Sequence, residues 1–114
     1  MTISYSQLFA PVILTTTASV IYTVPSSPTT NLLRGGRIRF ANSTNAAVQI
    51  TAYGVASTSS PAEPGNVFAP NLSVPANGYI DVDVPLLPAG SSIEAAAGSN
   101  SAITLSAING ALFS

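Results

Sequence analysis

Apolar and polar residues alternate with a period of two along much of the chain, and no segment sustains a helical stripe. In Arg37-Ile38-Arg39-Phe40, Ile38 and Phe40 share one face and the two arginines share the other, which predicts a half-buried strand. Val48 to Tyr53 repeats the pattern, with Val48, Ile50 and Ala52 inward and Tyr53 outward, and the Asn42-Ser43-Thr44-Asn45 stretch between the two runs predicts a hairpin or a tight corner. Tyr79 to Val84 and Ala102 to Ile108 alternate as cleanly, and Ser91 to Ala95 does so more weakly. Nearer the start, Leu8 to Thr15 and Ser19 to Val24 are expected strands, the second with Val20, Tyr22 and Val24 on one side. A short strand around Leu72 brings the expected number to about 7–8.

The separators are dense in Pro, Gly, Ser and Asn, as turn chemistry requires. Residues 56–70 carry no periodicity and contain Pro61 and Pro64, so a long surface loop is expected there. Three alanines in Glu94-Ala95-Ala96-Ala97-Gly98 are too few to nucleate a helix. Gly35-Gly36 reads as a turn leading into the Arg37 strand, a place where a positive φ is useful. The fold class that follows is all-β: one antiparallel β-sandwich domain over residues 1–114, jelly-roll-like, with extended terminal arms at 1–7 and 109–114. Either arm, both mixing apolar with small polar residues, is a candidate to reach a neighbouring protein.

Composition narrows what such a domain does. Its 114 residues suffice for a single core. Only 6% of them are charged, against about 25% in ordinary soluble domains, so Ser, Thr and Asn must keep the surface polar. A surface with so little charge repulsion suits a protein that sits against neighbours. The absence of cysteine excludes disulfides and thiolate sites, and with no histidine the usual transition-metal ligands are missing too. Mean hydropathy is +0.44, but the longest apolar run, near residues 8–14, is broken by Pro11 and is far short of a membrane span. Met1 opens a stretch without a basic signal region, so an uncleaved product made in the cytoplasm is expected.

All three cations, Arg34, Arg37 and Arg39, fall within six residues. With a net charge of −1 and a pI near 4.8, they do not make a nucleic-acid surface. No activated nucleophile is available, since no serine has a histidine or lysine to work with. Asp81 and Asp83, two apart on a strand with Cα atoms about 6.7 Å from each other, have the spacing of a carboxylate pair. They point away from Ile80, Val82 and Val84 onto a solvated face, however, and so read as an outer charged stripe. Neither an enzyme nor a metal or cofactor site is expected. The Arg37/Arg39 stripe instead matches the Asp81/Asp83 stripe in spacing and opposes it in sign. The two pair across a sheet if their strands are neighbours, the simpler reading, or between chains if they are not.

Several stretches resemble small virion proteins of tailed bacteriophages: Tyr22-Thr23-Val24-Pro25 closing an early strand, the Asn42-Ser43 corner, the Val48 to Tyr53 strand, the Val74 to Gly78 turn, and Leu87 to Ile93. Asn77-Gly78 replaces the Gly-Gly usual in that turn. The resemblance covers nearly the whole chain and implies a β-sandwich added to a virion, a decoration or cement protein on the capsid exterior that bridges capsomers. It implies the major capsid protein or other virion proteins as partners, with the chain a dimer or trimer, and neither nucleic acid nor membrane. Tail, neck or fibre-base locations are the alternatives within that class. Outside it stands a carbohydrate-binding sandwich, for which only Tyr5, Tyr22, Tyr53 and Tyr79 could supply an aromatic platform, the outward Tyr53 first among them.

Overall fold

Alternation, bulges and corners decide where each side chain ends up. The computed structural model describes residues 3–4, 9–27, 30–55 and 67–113. These form ten strands and no helix: β1 (Ile3–Ser4), β2 (Val12–Ile13), β3 (Ser19–Thr23), β4 (Leu32–Asn42), β5 (Val48–Val55), β6 (Val67–Val74), β7 (Tyr79–Asp83), β8 (Leu87–Pro88), β9 (Ser92–Ala97) and β10 (Ile103–Phe113). Every pairing is antiparallel, in two sheets. In the first sheet β10 and β4 lie side by side; β1 and β2 flank β10, and β7 and β8 flank β4. The second sheet runs β3-β9-β5-β6.

The inward faces of both sheets feed one hydrophobic cluster. From the first sheet come large side chains, Leu33, Ile38 and Phe40 of β4 with Ile103 and Leu105 of β10, all fully buried. The second contributes Val48, Ile50, Ile93 and a set of alanines, Ala52, Ala69, Ala95 and Ala97. The alanines let the second layer come close to the large side chains of the first. Burying a side chain the size of Phe40 contributes about 1.5–3 kcal/mol, so the β4/β10 pair anchors the core.

Asn42 governs the passage from β4 in the first sheet to β5 in the second, which makes the Asn42–Asn45 stretch a corner between sheets. Its buried side chain donates through Nδ2 to the carbonyls of Ala46 at 2.8 Å and Val74 at 3.2 Å. Through Oδ1 it accepts from the Thr44 amide at 2.9 Å and the Thr44 hydroxyl at 2.7 Å. The Asn77 amide donates to the Thr44 carbonyl at 2.9 Å, so the corner and the β6–β7 turn are tied together.

Bulges account for most departures from simple alternation. Gly35 and Gly36 lie inside β4, where a turn was expected. Opposite them, Asn109 pairs with Arg37 and Ala111 with Arg34, so β4 uses three steps where β10 uses two. The additional residue is accommodated at Gly35, whose φ of +68° an L side chain adopts only under strain. Gly36 is buried, and a Cβ there would lie 3.1 Å from Cβ of Val84. One step along, β10 carries its own additional residue at Ile108, which is pushed outward. In β3 a bulge between Val20 and Tyr22 splits the expected common face: Val20 is 57% exposed, whereas Tyr22 packs on the core and Val24 is fully buried. Residues 67–70 of the expected long loop belong to β6, an edge strand that tolerates Pro70 because its outer side needs no donor. Residues 109–113, expected as part of an arm, are the end of β10. Most of residues 1–7, together with residues 56–66, lies outside the described residues.

Candidate contact surface

The outward face of the first sheet is laid out in rows by the ladder register. One row crosses four strands as Ile13, Thr104, Ala41 and Tyr79. The next is Ser106, Arg39 and Asp81, and the third is Asn109, Arg37 and Asp83. Ile13 and Tyr79, at the two ends of the first row, are 61% and 56% exposed. Between them Thr104 and Ala41 are small, so the row is high at its ends and low in the middle.

β4 and β7 are neighbours, and the two charged stripes meet within the chain. Arg37 Nε donates to Asp83 Oδ1 at 2.9 Å. Arg39 holds Asp81 with two bonds, Nε to Oδ1 at 2.8 Å and Nη2 to Oδ2 at 3.1 Å. These side chains face solvent, so the pairs contribute more to strand register than to stability. The hydrogen bond from Arg39, reinforced by its charge, holds the Asp81 carboxyl below its ordinary value. The same contacts raise the guanidinium groups of Arg37 and Arg39 further above theirs. Arg39 also lies 4.1 Å from the centroid of the Tyr79 ring, which braces it from a second side.

Arg34 occupies the far end of β4, where the two bulges open a depression of about 250 Å³ lined by Arg34, Gly35, Asn109, Gly110, Ala111 and Phe113. Its guanidinium is 5.8 Å from the Phe113 ring centroid. The Gly35 bulge thus has a consequence for charge: it rephases β4 so that Arg34, three residues before Arg37, is exposed as Arg37 is.

Tyr53 lies on the outward face of the second sheet, half-buried, between Val67 of β6 and Glu94 of β9 in the ladder. Glu94 is itself buried and has Val20 on its other side. Burial raises the Tyr22 phenol, whose ring is 6.1 Å from that of Phe9. Tyr5 lies outside the described residues. Among the described residues the tyrosine that presents most surface is Tyr79, and its place is readable from the sequence, since it shares outward parity with Asp81 and Asp83. Among the described residues no helix is long and apolar enough to cross a membrane. No protein-family model matches the chain, and no curated protein or solved structure matches it.

Proposed function

We propose that the chain is a noncatalytic structural subunit of a virion, a decoration or cement protein that binds the major capsid protein on the exterior of a phage head. The observation that carries this reading is the strand order. With β1 and β2 sharing β10 and β7 and β8 sharing β4 as partners, β2-β10-β4-β7 faces β3-β9-β5-β6, and successive strands from β3 to β7 run second, first, second, second, first. That order supports a jelly roll of two interleaved Greek keys, the sandwich architecture common in capsid and lectin domains. Fold alone does not assign a role, so the reading also draws on the resemblance to small phage virion proteins, the scarcity of charge and the lack of His, Cys and Lys. A part of this kind works by multivalency: one weak contact repeated over several capsomers gains about 10²–10⁴ in avidity without any new interaction.

The test is attachment. Purified chain should co-sediment with phage heads that lack it, saturate at a fixed ratio to the capsid protein, and raise the temperature at which the heads release DNA. Binding to tails or necks instead would move the subunit within the virion, and binding to no part of the particle would end the proposal. A carbohydrate-binding reading has one observation in its favour, the half-buried Tyr53 beside the buried Glu94 on a sheet face. Glycan binding that disappears in Tyr53→Ala would promote it.

A further inference from the structure

We propose that the β4/β7 strip of the first sheet's outer face is self-complementary and pairs with the same strip of a second copy of this chain. The argument starts from register. Arg37 is level with Asp83, and Arg39 with Asp81, on adjacent antiparallel strands. A two-fold axis parallel to the strands, lying in front of the line between β4 and β7, exchanges the two strands and leaves the level along them unchanged. Arg37 of one copy then faces Asp83 of the other, Arg39 faces Asp81, and the protruding Tyr79 faces the small Ala41. Each cation gains a second anion and each anion a second cation, so each of the two levels carries a square of two arginines and two aspartates.

The groups have capacity for this second set of contacts. Within the chain Arg37 spends only Nε on Asp83, so its terminal amino groups remain available among the described residues. The Asp83 side chain is 77% exposed and, among the described residues, accepts at Oδ1 alone. Arg39 is fixed in place by Asp81 and by the Tyr79 ring, so pairing costs it little side-chain freedom. Extension of the sheet edge to edge through β7 is disfavoured, because a two-fold there would bring aspartates beside aspartates. Six side chains from each copy are far fewer than the roughly 20–30 of a stable interface. The pair is therefore weak in dilute solution and forms where subunits are already held side by side, with charge setting its register.

The experiment is sedimentation velocity of the full chain over a concentration series reaching the order of 1 mM, a range that reads weak association. Four proteins are compared: wild type, Arg37→Asp/Arg39→Asp, Asp81→Arg/Asp83→Arg, and the variant carrying all four changes. The expected result is concentration-dependent dimerisation of the wild type that weakens with added salt. Each half-reversed protein alone should be weaker by about tenfold or more, while the fourfold variant regains wild-type behaviour. Should a half-reversed protein fail to fold, Arg37→Ser/Arg39→Ser replaces it, and the same loss is expected. A wild type that stays monomeric throughout, half-reversed proteins that dimerise as the wild type does, or a fourfold variant no better than its halves would each overturn the inference. Attachment to phage heads is measured separately, so failure of the virion reading and failure of self-pairing are distinguishable.

Discussion

Truncating Asn42 to alanine tests the corner that joins the two sheets. Four hydrogen bonds converge on this buried side chain, but they are not equally replaceable. The Thr44 hydroxyl also lies 3.0 Å from the Ala46 carbonyl, so on losing Asn42 it can turn its proton there, leaving both groups satisfied. Among the described residues the Thr44 amide and the buried Val74 carbonyl have no such substitute from a neighbouring side chain. Two polar groups left without this partner at about 1–3 kcal/mol each, with the partly solvated Thr44 amide at the low end, give a loss of about 2–4 kcal/mol. For a domain of this size that is a fall in Tm of roughly 10 °C or more. Urea denaturation followed by circular dichroism reads it, with the midpoint falling and the slope unchanged. Asn42→Asp should be at least as damaging at neutral pH, since it keeps the acceptor but sets a carboxylate oxygen against two carbonyls. Thr44→Val should cost less, about 0.5–1.5 kcal/mol. A loss below about 0.5 kcal/mol for Asn42→Ala, the scatter of ordinary surface changes, would refute the claim that this side chain holds the corner.

Other outcomes follow from the same geometry. Phe40→Ala, which empties the centre of the shared cluster, should lose about 3–5 kcal/mol in denaturant titrations. Gly78→Ala should cost about 1–3 kcal/mol, because the new Cβ would lie 2.8 Å from Cγ of Pro75, a ring with little freedom to retreat. Asp81 has its folded-state pKa lowered from 3.8 by Arg39, so its contribution to stability is complete above that value and fades as pH falls through the folded one. Stability against pH should therefore drop less steeply in acid for Asp81→Asn than for the wild type, and parallel curves would contradict the pairing.

The elements most legible in the sequence are those whose alternation is unbroken. Ile38 and Phe40 go inward and Arg37 and Arg39 outward because a strand leaves no other choice, and the same holds for Tyr79 to Asp83. The matched spacing of the arginine and aspartate stripes becomes contact once β4 and β7 are neighbours, and only topology, which no local pattern encodes, makes them so. Where the chain changes phase, periodicity misleads. Alternation puts Val20 with Tyr22 and Val24, but the β3 bulge sends it to solvent. Gly35-Gly36 has the chemistry of a turn, and the same freedom serves equally well for a bulge in the middle of an eleven-residue strand. β9 looked weak because Ser92 and Glu94 interrupt its apolar run, yet it lies between β3 and β5 and both residues are buried. Tyr53 has the outward parity that alternation predicts, but a half-buried position beside Glu94 is set by packing across strands.

Cryo-electron microscopy of purified virions from cells that make the chain, compared with virions from cells in which its gene is deleted, addresses the central claim directly. The account predicts density for a two-sheet subunit at regular positions on the head exterior, present only in the first sample and in contact with the capsid protein. Identical particles, with the chain remaining in the cell lysate, would contradict it.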